Sequence, residues 1–357
     1  MGFVDIDPRA TSPAVRHLDL YLGRCIPRPW RSYEIRETRY KRARCFTHTA
    51  SFSPLTRSLP HNYTMTLLTP PSRSIIKSIL SKEQSEGVGA KIRRSIGRPE
   101  LRNHDPFLML DEFDSDPTGG FPDHPHRGFE TVTYMLEGQV QHEDFAGHKG
   151  TIGPGDLQWM TAGRGIVHSE MPVKTETRIH GLQLWINLPK EHKMCEPQYQ
   201  ELRDGQIPRA TPQDGVTIKV IAGESHGVKS QVYTRTPTMY LDFRMEKNKT
   251  VTQTIPSTFT GFIYMLKGKA YIGDKEFEGK AHHTLTFSED GAETVKIETK
   301  DEDAHFVFIA GEPLKEPIVQ HGPFVMNTEK EIYDTFVDYQ YAKNGFERAR
   351  NWRSTIA

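Results

Sequence analysis

Short apolar runs alternate with glycine- and proline-containing turns from about Ser72 onward, and this pattern is typical of β-strands. Residues 130–136 and 139–145 form two such runs around a Glu-Gly turn, which predicts a hairpin. Residues 179–188 carry Leu182, Leu184, Ile186 and Leu188 at alternate positions, so one face of that strand is predicted to be buried. The regular spacing of strands and turns favours an all-β barrel or sandwich over alternating strands and helices.

The chain contains an internal repeat. Tyr134-Met-Leu-Glu-Gly138 recurs 130 positions later as Tyr264-Met-Leu-Lys-Gly268. A second echo follows in the same order, because Arg178-Ile-His180 and Asp303-Ala-His305 each precede a β run. Two echoes in one order predict a duplicated β domain.

The last part of the chain predicts a helix. Thr328 and Glu331 have the spacing of a capping box, in which both side chains satisfy backbone N–H groups at the helix start. An apolar stripe then lies on one side of this helix at Ile332, Phe336 and Tyr339. Gly345 is the predicted stop signal, and the helix is expected to pack back on the barrels.

Residues 1–71 differ from the rest of the chain. They hold arginine clusters and eight prolines without a sustained apolar period, which predicts a basic, disordered N-terminal extension. The first 75 residues carry a net charge of +7 and the remainder −7, since the whole chain sums to zero. The alternatives are an organelle-targeting segment or a nuclear import patch at Lys41-Arg42-Ala43-Arg44.

Composition narrows the class of protein. With 36% hydrophobic and 26% charged residues in a chain of 357, the balance is that of a soluble globular protein. No apolar run approaches the ~18 residues that a membrane-spanning helix requires. Three scattered cysteines favour a reducing compartment, and the acidic body argues against direct nucleic-acid binding by the folded part.

Two pairs of polar side chains predict a metal site. His124 and His126 are two positions apart, so on an extended segment both imidazoles point to the same side. His168 and Glu170 repeat this spacing after a stretch rich in strands and turns. Three imidazoles and one carboxylate fill four positions of an octahedron and leave two open. This set suits Fe(II), although Ni, Cu, Mn and Zn are also chemically allowed.

Other polar residues remain alternatives. Glu130 shares the parity of His124 and His126, so it is an alternative carboxylate ligand or a support for the site. His142 and His148 are interpreted as exposed or supporting, and the adjacent His282-His283 pair as structural. Candidate walls of an apolar pocket are Trp159, Met160 and Phe129, which are equally well explained as barrel core.

The repeat provides an internal comparison for the metal site. Shifting His124, His126 and Glu130 by 130 positions leads to Thr254, Pro256 and Thr260. None of these side chains is a good iron ligand. The second lobe is therefore predicted to lack a metal and to serve as a scaffold or partner surface.

The motifs resemble those of the pirin family of cupins. The resemblance rests on the segments Ser85–Ala90, Arg94–Leu101, Phe121–Thr133, Gly155–Gly165 and Gln320–Thr328, and it spans about residues 72–357. It implies an all-β bicupin of two antiparallel β-barrels: a metal-binding domain at 72–205 and a metal-free domain at 206–357 that ends in a helix. It also implies that the ligands are His124, His126, His168 and Glu170, in agreement with the spacing.

Two functions follow from this resemblance. The first is quercetin 2,3-dioxygenase-type opening of a flavonol ring with O2 at Fe(II), in which Glu170 accepts the flavonol proton. The alternative is a nuclear and cytoplasmic, iron-dependent coregulator of NF-κB-type factors with Bcl-type ankyrin partners, in which binding of Fe(III) alters a partner surface. The candidate partner surface of this coregulator is the basic cluster Lys91, Arg93 and Arg94. The alternative interpretation is that these three side chains are simply exposed charges in contact with solvent. For either function we expect a monomer.

Overall fold

The computed structural model describes residues 71–173 and 178–357. The predictions for the N-terminal extension and the basic tetrapeptide at residues 41–44 therefore fall outside the described residues. These described residues form one compact unit. Within the described ranges, no helix has both the length and the apolar character needed to cross a bilayer.

Twelve strands in the first half of the described chain build the first lobe and one edge of the second. They are β1 (Ile75–Leu80), β2 (Lys82–Glu86), β3 (Ala90–Ile96), β4 (Phe107–Ser115), β5 (Phe121–His126), β6 (Phe129–Glu137), β7 (Val140–Asp144), β8 (Lys149–Ile152), β9 (Leu157–Thr161), β10 (Ile166–Pro172), β11 (Ile179–Asn187) and β12 (Gln198–Leu202). The first lobe combines a seven-stranded sheet, in the order β12-β9-β6-β11-β4-β3-β2, with a four-stranded sheet, in the order β5-β10-β7-β8.

The second half of the chain repeats this arrangement. Its strands are β13 (Arg209–Gln213), β14 (Val216–Ala222), β15 (Glu224–Ser225), β16 (Val228–Lys229), β17 (Thr238–Met245), β18 (Thr250–Thr254), β19 (Thr260–Lys267), β20 (Lys269–Ile272), β21 (Phe277–Lys280), β22 (His283–Phe287), β23 (Thr294–Glu298), β24 (Ala304–Gly311), β25 (Val319–His321) and β26 (Phe324–Met326). The second lobe has a seven-stranded sheet, β1-β22-β19-β24-β17-β14-β13, and a four-stranded sheet, β18-β23-β20-β21.

Strand β1 completes the sheet of the second lobe, although it precedes the first lobe in the chain. It pairs antiparallel with β22, from Ile75 opposite Phe287 to Leu80 opposite His283. This segment falls in the first of the two predicted domains, and the domain boundaries at 72–205 and 206–357 stay predictions. The exchange links the lobes, because the first strand of the described chain supplies an edge to the later lobe.

The two seven-stranded sheets face each other across a shared apolar core. Residues from both lobes enter this core, among them Val132 and Leu184 from the first and Phe262 and Ile309 from the second. The barrel of the second lobe is filled by its own apolar cluster, which includes Phe243, Phe287, Phe306 and Phe308. The prediction of an all-β protein with a duplicated domain is thereby confirmed.

Strand β11 shows how the sequence pattern determines burial. Leu182, Leu184 and Ile186 are fully buried between the two lobes, as their alternation predicts. The intervening Gln183 and Trp185 are partly buried and face the opposite side of the sheet. That side belongs to the interior of the first lobe.

The C-terminal helix, α1 (Glu329–Gln340), begins where the sequence predicts. Thr328 accepts a hydrogen bond from the backbone N–H of Glu331. The reciprocal bond differs from the prediction, because the Glu331 carboxylate accepts from the N–H of Asn327 rather than from Thr328. The helix also ends five residues before Gly345. Its stripe of Ile332, Phe336 and Tyr339 packs into an apolar cluster behind the small sheet of the first lobe.

Candidate metal centre

The pairing of β5 with β10 brings two of the predicted ligands together. His124 and His168 are direct cross-strand partners in this antiparallel pair, so their side chains leave the sheet on the same face. His126 lies two residues after His124 and points to that face as well. The chain then turns at Gly128, whose φ of +88° is readily adopted by glycine.

The three histidines form a compact cluster. Each offers one ring nitrogen, and the three nitrogens lie within 4.8 Å of one another. The Nε2 atoms of His124 and His168 are 2.9 Å apart. The ring of His126 closes the group, with centroid distances of 4.7 Å to His124 and 4.9 Å to His168. Among the described residues, these three histidines are the group of potential metal ligands whose donor atoms lie close enough together to hold an ion.

Glu170 lies beside the cluster and is held by two neighbouring side chains. Its Oε2 is 4.0 Å from Nε2 of His168. Thr133 Oγ1 lies 3.0 Å from Glu170 Oε1, and the amide Nε2 of Gln183 donates to Glu170 Oε2 at 3.2 Å. The amide oxygen of Gln183 in turn lies 2.7 Å from Thr133 Oγ1. These contacts hold the carboxylate at the edge of the three-histidine group.

Burial favours the neutral form of the imidazoles. His126 and His168 are nearly inaccessible, and burial lowers the pKa of both well below the ordinary value of histidine. The neighbouring His124 lowers both pKa values further. A neutral imidazole is the form that binds a metal, so these rings need not lose a proton to do so.

The ring nitrogens of the cluster fit a bound cation. His124 Nδ1 is 2.8 Å from the carbonyl oxygen of Pro122, which only accepts, so in the neutral ring Nε2 carries the lone pair. That atom faces Nε2 of His168. Both ring nitrogens of His126 are buried without a hydrogen-bond partner. Buried polar atoms are nearly always satisfied, so unpaired nitrogens around one point indicate a metal site.

Aromatic rings surround the cluster on its buried side. The ring of His126 meets Phe129 at a centroid distance of 5.2 Å and Trp185 at 5.3 Å, both edge-on. Phe129 and Trp185 also pack against each other at 4.4 Å. On the other side, Phe121 lies 6.5 Å from His124. This apolar surround limits access of water to the histidines.

Glu130 does not lie with the histidines. It sits on the opposite face of β6 from Thr133 and is fully buried, where it accepts a 2.6 Å hydrogen bond from the Thr161 hydroxyl. The parity argument fails because the turn at Gly128 separates β5 from β6, so residues on either side no longer share a face. The structure therefore gives no support to Glu130 as the carboxylate ligand.

The remaining histidines are placed as follows. His142 is buried, with Nε2 at 2.7 Å from the Glu201 carboxylate, and it lies close enough to lower the pKa of His168 slightly. His148 is half exposed and contacts Asp144 at 2.9 Å. His282 contacts Glu112 at 2.8 Å in the other lobe, in agreement with a structural role.

Of the three aromatic and apolar side chains predicted as pocket walls, only Phe129 lies at the cluster. Trp159 belongs to the core between the lobes, and Met160 packs under the C-terminal helix. Three residues at the site were not predicted from the sequence, namely Thr133, Gln183 and Trp185. Gln183 and Trp185 could have been predicted from β11, because they lie on the face opposite to its apolar residues Leu182, Leu184 and Ile186.

The basic cluster of the sequence analysis is balanced by acids. Lys91 and Arg93 lie 3.9 Å and 3.3 Å from Glu83 on the neighbouring strand. Arg94 makes a bidentate salt bridge with the Asp111 carboxylate, at 2.9 Å and 2.8 Å. This segment is therefore a paired edge of the sheet and presents little net positive charge to a partner.

Two family models match the chain, Pirin over residues 89–186 and the Pirin C-terminal cupin domain over residues 240–345. Pirin of Homo sapiens and Pirin of Mus musculus are each 58% identical over 289 residues, which cover 80% of this chain and 98% of the relative. This chain belongs to the pirin family. The resemblance inferred from its motifs is confirmed.

A solved structure extends the comparison. Quercetin 2,3-dioxygenase from Acinetobacter baumannii superposes with a TM-score of 0.72 at 32% identity, and the match covers 77% of this chain and 99% of that one. The bicupin architecture of this pirin-family protein is thus shared with a protein described as a quercetin 2,3-dioxygenase. The three-histidine cluster lies in the lobe covered by the first family model.

Proposed function

We propose that this pirin-family protein binds one iron ion through His124, His126 and His168, with Glu170 as the fourth ligand, and opens flavonols with O2. The observation that carries the proposal is the cluster of three ring nitrogens within 4.8 Å of one another. Three imidazoles and a carboxylate with open positions suit non-haem Fe(II). The likeness to a quercetin 2,3-dioxygenase over almost its full length supports the substrate class.

The bound iron would supply the redox chemistry with O2. The surrounding side chains would deprotonate the flavonol, orient it and exclude water. Glu170 accepts the proton of the flavonol hydroxyl at a carboxylate oxygen, because a deprotonated flavonol is the more electron-rich form. Thr133 and Gln183 keep that carboxylate in one orientation. Phe129 and Trp185 exclude water and present flat apolar surfaces to the flavonol rings.

The test uses purified protein loaded anaerobically with Fe(II) and then mixed with quercetin and oxygen. Loss of the flavonol absorbance should follow the protein concentration. His126→Ala should abolish the reaction, and Glu170→Gln should slow it strongly while iron binding is measured in parallel. His192→Ala is the matched control, since His192 is a partly exposed histidine on a short turn outside the cluster. A rate equal to that of free iron would reject the proposal.

The coregulator function stays a prediction with less support from the described residues. Its candidate surface at Lys91, Arg93 and Arg94 is paired with acidic side chains. Likewise, nuclear and cytoplasmic location, NF-κB-type and ankyrin partners and the monomeric state are inferred only from family membership. Pull-down of NF-κB-type factors with the ferric, ferrous and metal-free protein tests this function, and equal recovery in all three states would contradict it.

A further inference from the structure

Arg127 is the residue directly after the ligand His126, and its charged side chain is almost completely buried. Every nitrogen of the guanidinium donates a hydrogen bond. Nε donates to the carbonyl of Arg164 at 2.6 Å, and Nη2 to the carbonyl of Asn344 at 2.6 Å. Nη1 lies 2.9 Å from Asp338 and 3.2 Å from Thr335 on helix α1. The guanidinium thus joins the end of the ligand strand to the C-terminal helix.

The backbone around Arg127 is fixed as firmly as its side chain. The N–H of Arg127 donates to Pro323, and its carbonyl accepts from Val325 at 3.0 Å. The buried ammonium of Lys193 donates to the carbonyls of Gly128 and Val325. The peptide that follows His126 therefore has bonds to the C-terminal segment on several sides, and little freedom to shift.

His126 has a particular need for such an anchor. His124 is oriented by a hydrogen bond from Nδ1 to the carbonyl of Pro122, at 2.8 Å. Neither ring nitrogen of His126 has a hydrogen-bond partner among the described residues. Its ring is positioned by edge contacts with Phe129, Trp185 and the two neighbouring histidines, and by its own backbone. A ligand without a hydrogen-bonded support depends on the geometry of its main chain.

Protein stability alone does not explain the buried ion pair of Arg127 and Asp338, because its desolvation is costly. Removing a guanidinium and a carboxylate from water costs several kcal/mol per ion, and a well-packed apolar pair is often as stable or more so. Further contacts fix the geometry of this pair. Asn344 also donates to Asp338 at 2.8 Å, and the Phe346 ring lies 4.6 Å from the guanidinium carbon of Arg127. Such a pair is better suited to defining one orientation of the strand than to adding stability.

We propose that Arg127 is a positioning residue of the metal centre. Its bonds to helix α1 and to the segment that follows, up to Phe346, fix the backbone from which His126 projects. The inference rests on the proposed metal site, and it assigns a role in metal binding to a part of the chain that contributes no ligand. It predicts that metal affinity and coordination geometry change when the guanidinium fork is lost, even where the protein remains folded.

The test compares Arg127→Lys with Arg73→Lys. Lysine keeps the positive charge but cannot make the fork of bonds. Arg73 is an equally buried arginine that donates to the carbonyls of Phe259, Ala292, Pro256 and Ser257 in the second lobe, so it is matched in burial and bonding. Co(II) serves as the probe, since its absorption spectrum reports coordination geometry and a competing chelator gives its affinity.

Arg127→Lys should weaken Co(II) binding at least tenfold and alter the Co(II) spectrum. Arg73→Lys should lower the melting temperature but keep the affinity within twofold and the spectrum unchanged. Wild-type affinity and spectrum in Arg127→Lys, or an equal loss in Arg73→Lys, would overturn the inference. If wild-type protein bound no Co(II), the proposed metal site itself would fail, and this outcome is distinct from the other two.

A second variant covers the case in which Arg127→Lys does not fold. Asp338→Asn keeps the size of the side chain and leaves the guanidinium without its counter-ion. It should give a smaller loss of Co(II) affinity with the same direction of spectral change. An unchanged spectrum and affinity in folded Asp338→Asn would contradict the role assigned to the C-terminal helix.

Discussion

Glu112 and Asp242 stand 130 positions apart in the chain, and each accepts a hydrogen bond from a tyrosine of the opposite lobe. Tyr264 Oη donates to Glu112 Oε2 at 2.6 Å, and Tyr134 Oη donates to Asp242 Oδ2 at 2.6 Å. The two tyrosines are also 130 positions apart, at the first position of the repeated motif. The internal repeat thus forms a reciprocal pair of bonds across the interface between the lobes, which we term the tyrosine clasp.

A histidine completes each half of the tyrosine clasp. His180 contacts Glu112 at 2.8 Å, and His305 contacts Asp242 at 2.6 Å, in each case within one lobe. Burial acts to raise the pKa of Glu112, but hydrogen bonds from His180, His282 and Tyr264 outweigh it and lower that pKa to about 2. Bonding to His305 and Tyr134 likewise lowers the pKa of Asp242. Both carboxylates therefore remain ionised acceptors near neutral pH.

Removing one hydroxyl of the tyrosine clasp should destabilise the protein. Tyr134→Phe and Tyr264→Phe each delete a buried donor to a carboxylate, which costs about 1.5–3 kcal/mol. The double variant should lose roughly the sum, because the two bonds share no partner. Urea unfolding measures these changes. Tyr341→Phe, at a largely exposed tyrosine, should stay within about 0.5 kcal/mol of wild type. Equal stabilities of all four variants would contradict a role for the clasp.

The sequence predicted those features that depend on local periodicity. The three histidines emerge because residues two apart on a strand share a face, and the β5–β10 pairing preserves that face. Glu130 was misplaced because the parity rule stops at the turn of Gly128. Gly345 was misread as the helix stop, since the helix already ends at Gln340 and Ala342 adopts a φ of +50°.

Features that depend on which strands become neighbours could not be read from the sequence. Thr133 and Gln183 are cross-strand partners because β6 and β11 pair in one register, and both reach Glu170 on β10 of the other sheet. The addition of β1 to the second lobe depends on long-range pairing with β22. The repeat revealed that Tyr134 and Tyr264 are equivalent, but their exchanged partners follow from how the two sheets face each other.

Thr133 should matter for the proposed reaction more than for stability. Thr133→Val keeps the shape of the side chain and removes the hydroxyl beside the Glu170 carboxylate. Loss of such a support for a metal-site carboxylate typically costs about 10–100-fold in activity or metal affinity. Flavonol turnover and iron affinity measure the effect. The matched control is Thr284→Val, because Thr284 is a buried threonine of the second lobe whose hydroxyl has no hydrogen-bond partner. Equal turnover in both variants would contradict this prediction.

Gly128 should tolerate no side chain. Its φ of +88° strains any other residue, and a Cβ atom there would lie only 1.9 Å from the carbonyl oxygen of Val325. Gly147 has a similar φ of +98° but open space around the added atom. Gly147→Ala should therefore cost about 1–2 kcal/mol from backbone strain alone. Gly128→Ala should cost clearly more, measured by thermal unfolding, and should weaken metal binding. Equal losses would show that the Val325 contact relaxes easily.

Glu130 should make stability depend on pH in a defined direction. Burial raises the pKa of Glu130 to about 7, above its ordinary value of 4.5. A raised pKa in the folded state means that the protonated acid is the stable buried form. Its contribution is complete below pH 4.5 and is lost as the pH rises through about 7, by on the order of 3 kcal/mol in total.

Glu130→Gln tests this directly, because the amide is neutral at every pH and its oxygen still accepts from Thr161. The free energies of unfolding of wild type and Glu130→Gln are compared by urea denaturation between pH 4.5 and pH 8.5. The stability of wild type relative to the variant should fall across this range, most steeply between about pH 5 and pH 7, where the folded state retains a proton that the unfolded chain has lost. A constant difference would mean that Glu130 is ionised in the folded protein at all of these pH values, and the Thr161 bond would then be its chief stabilisation.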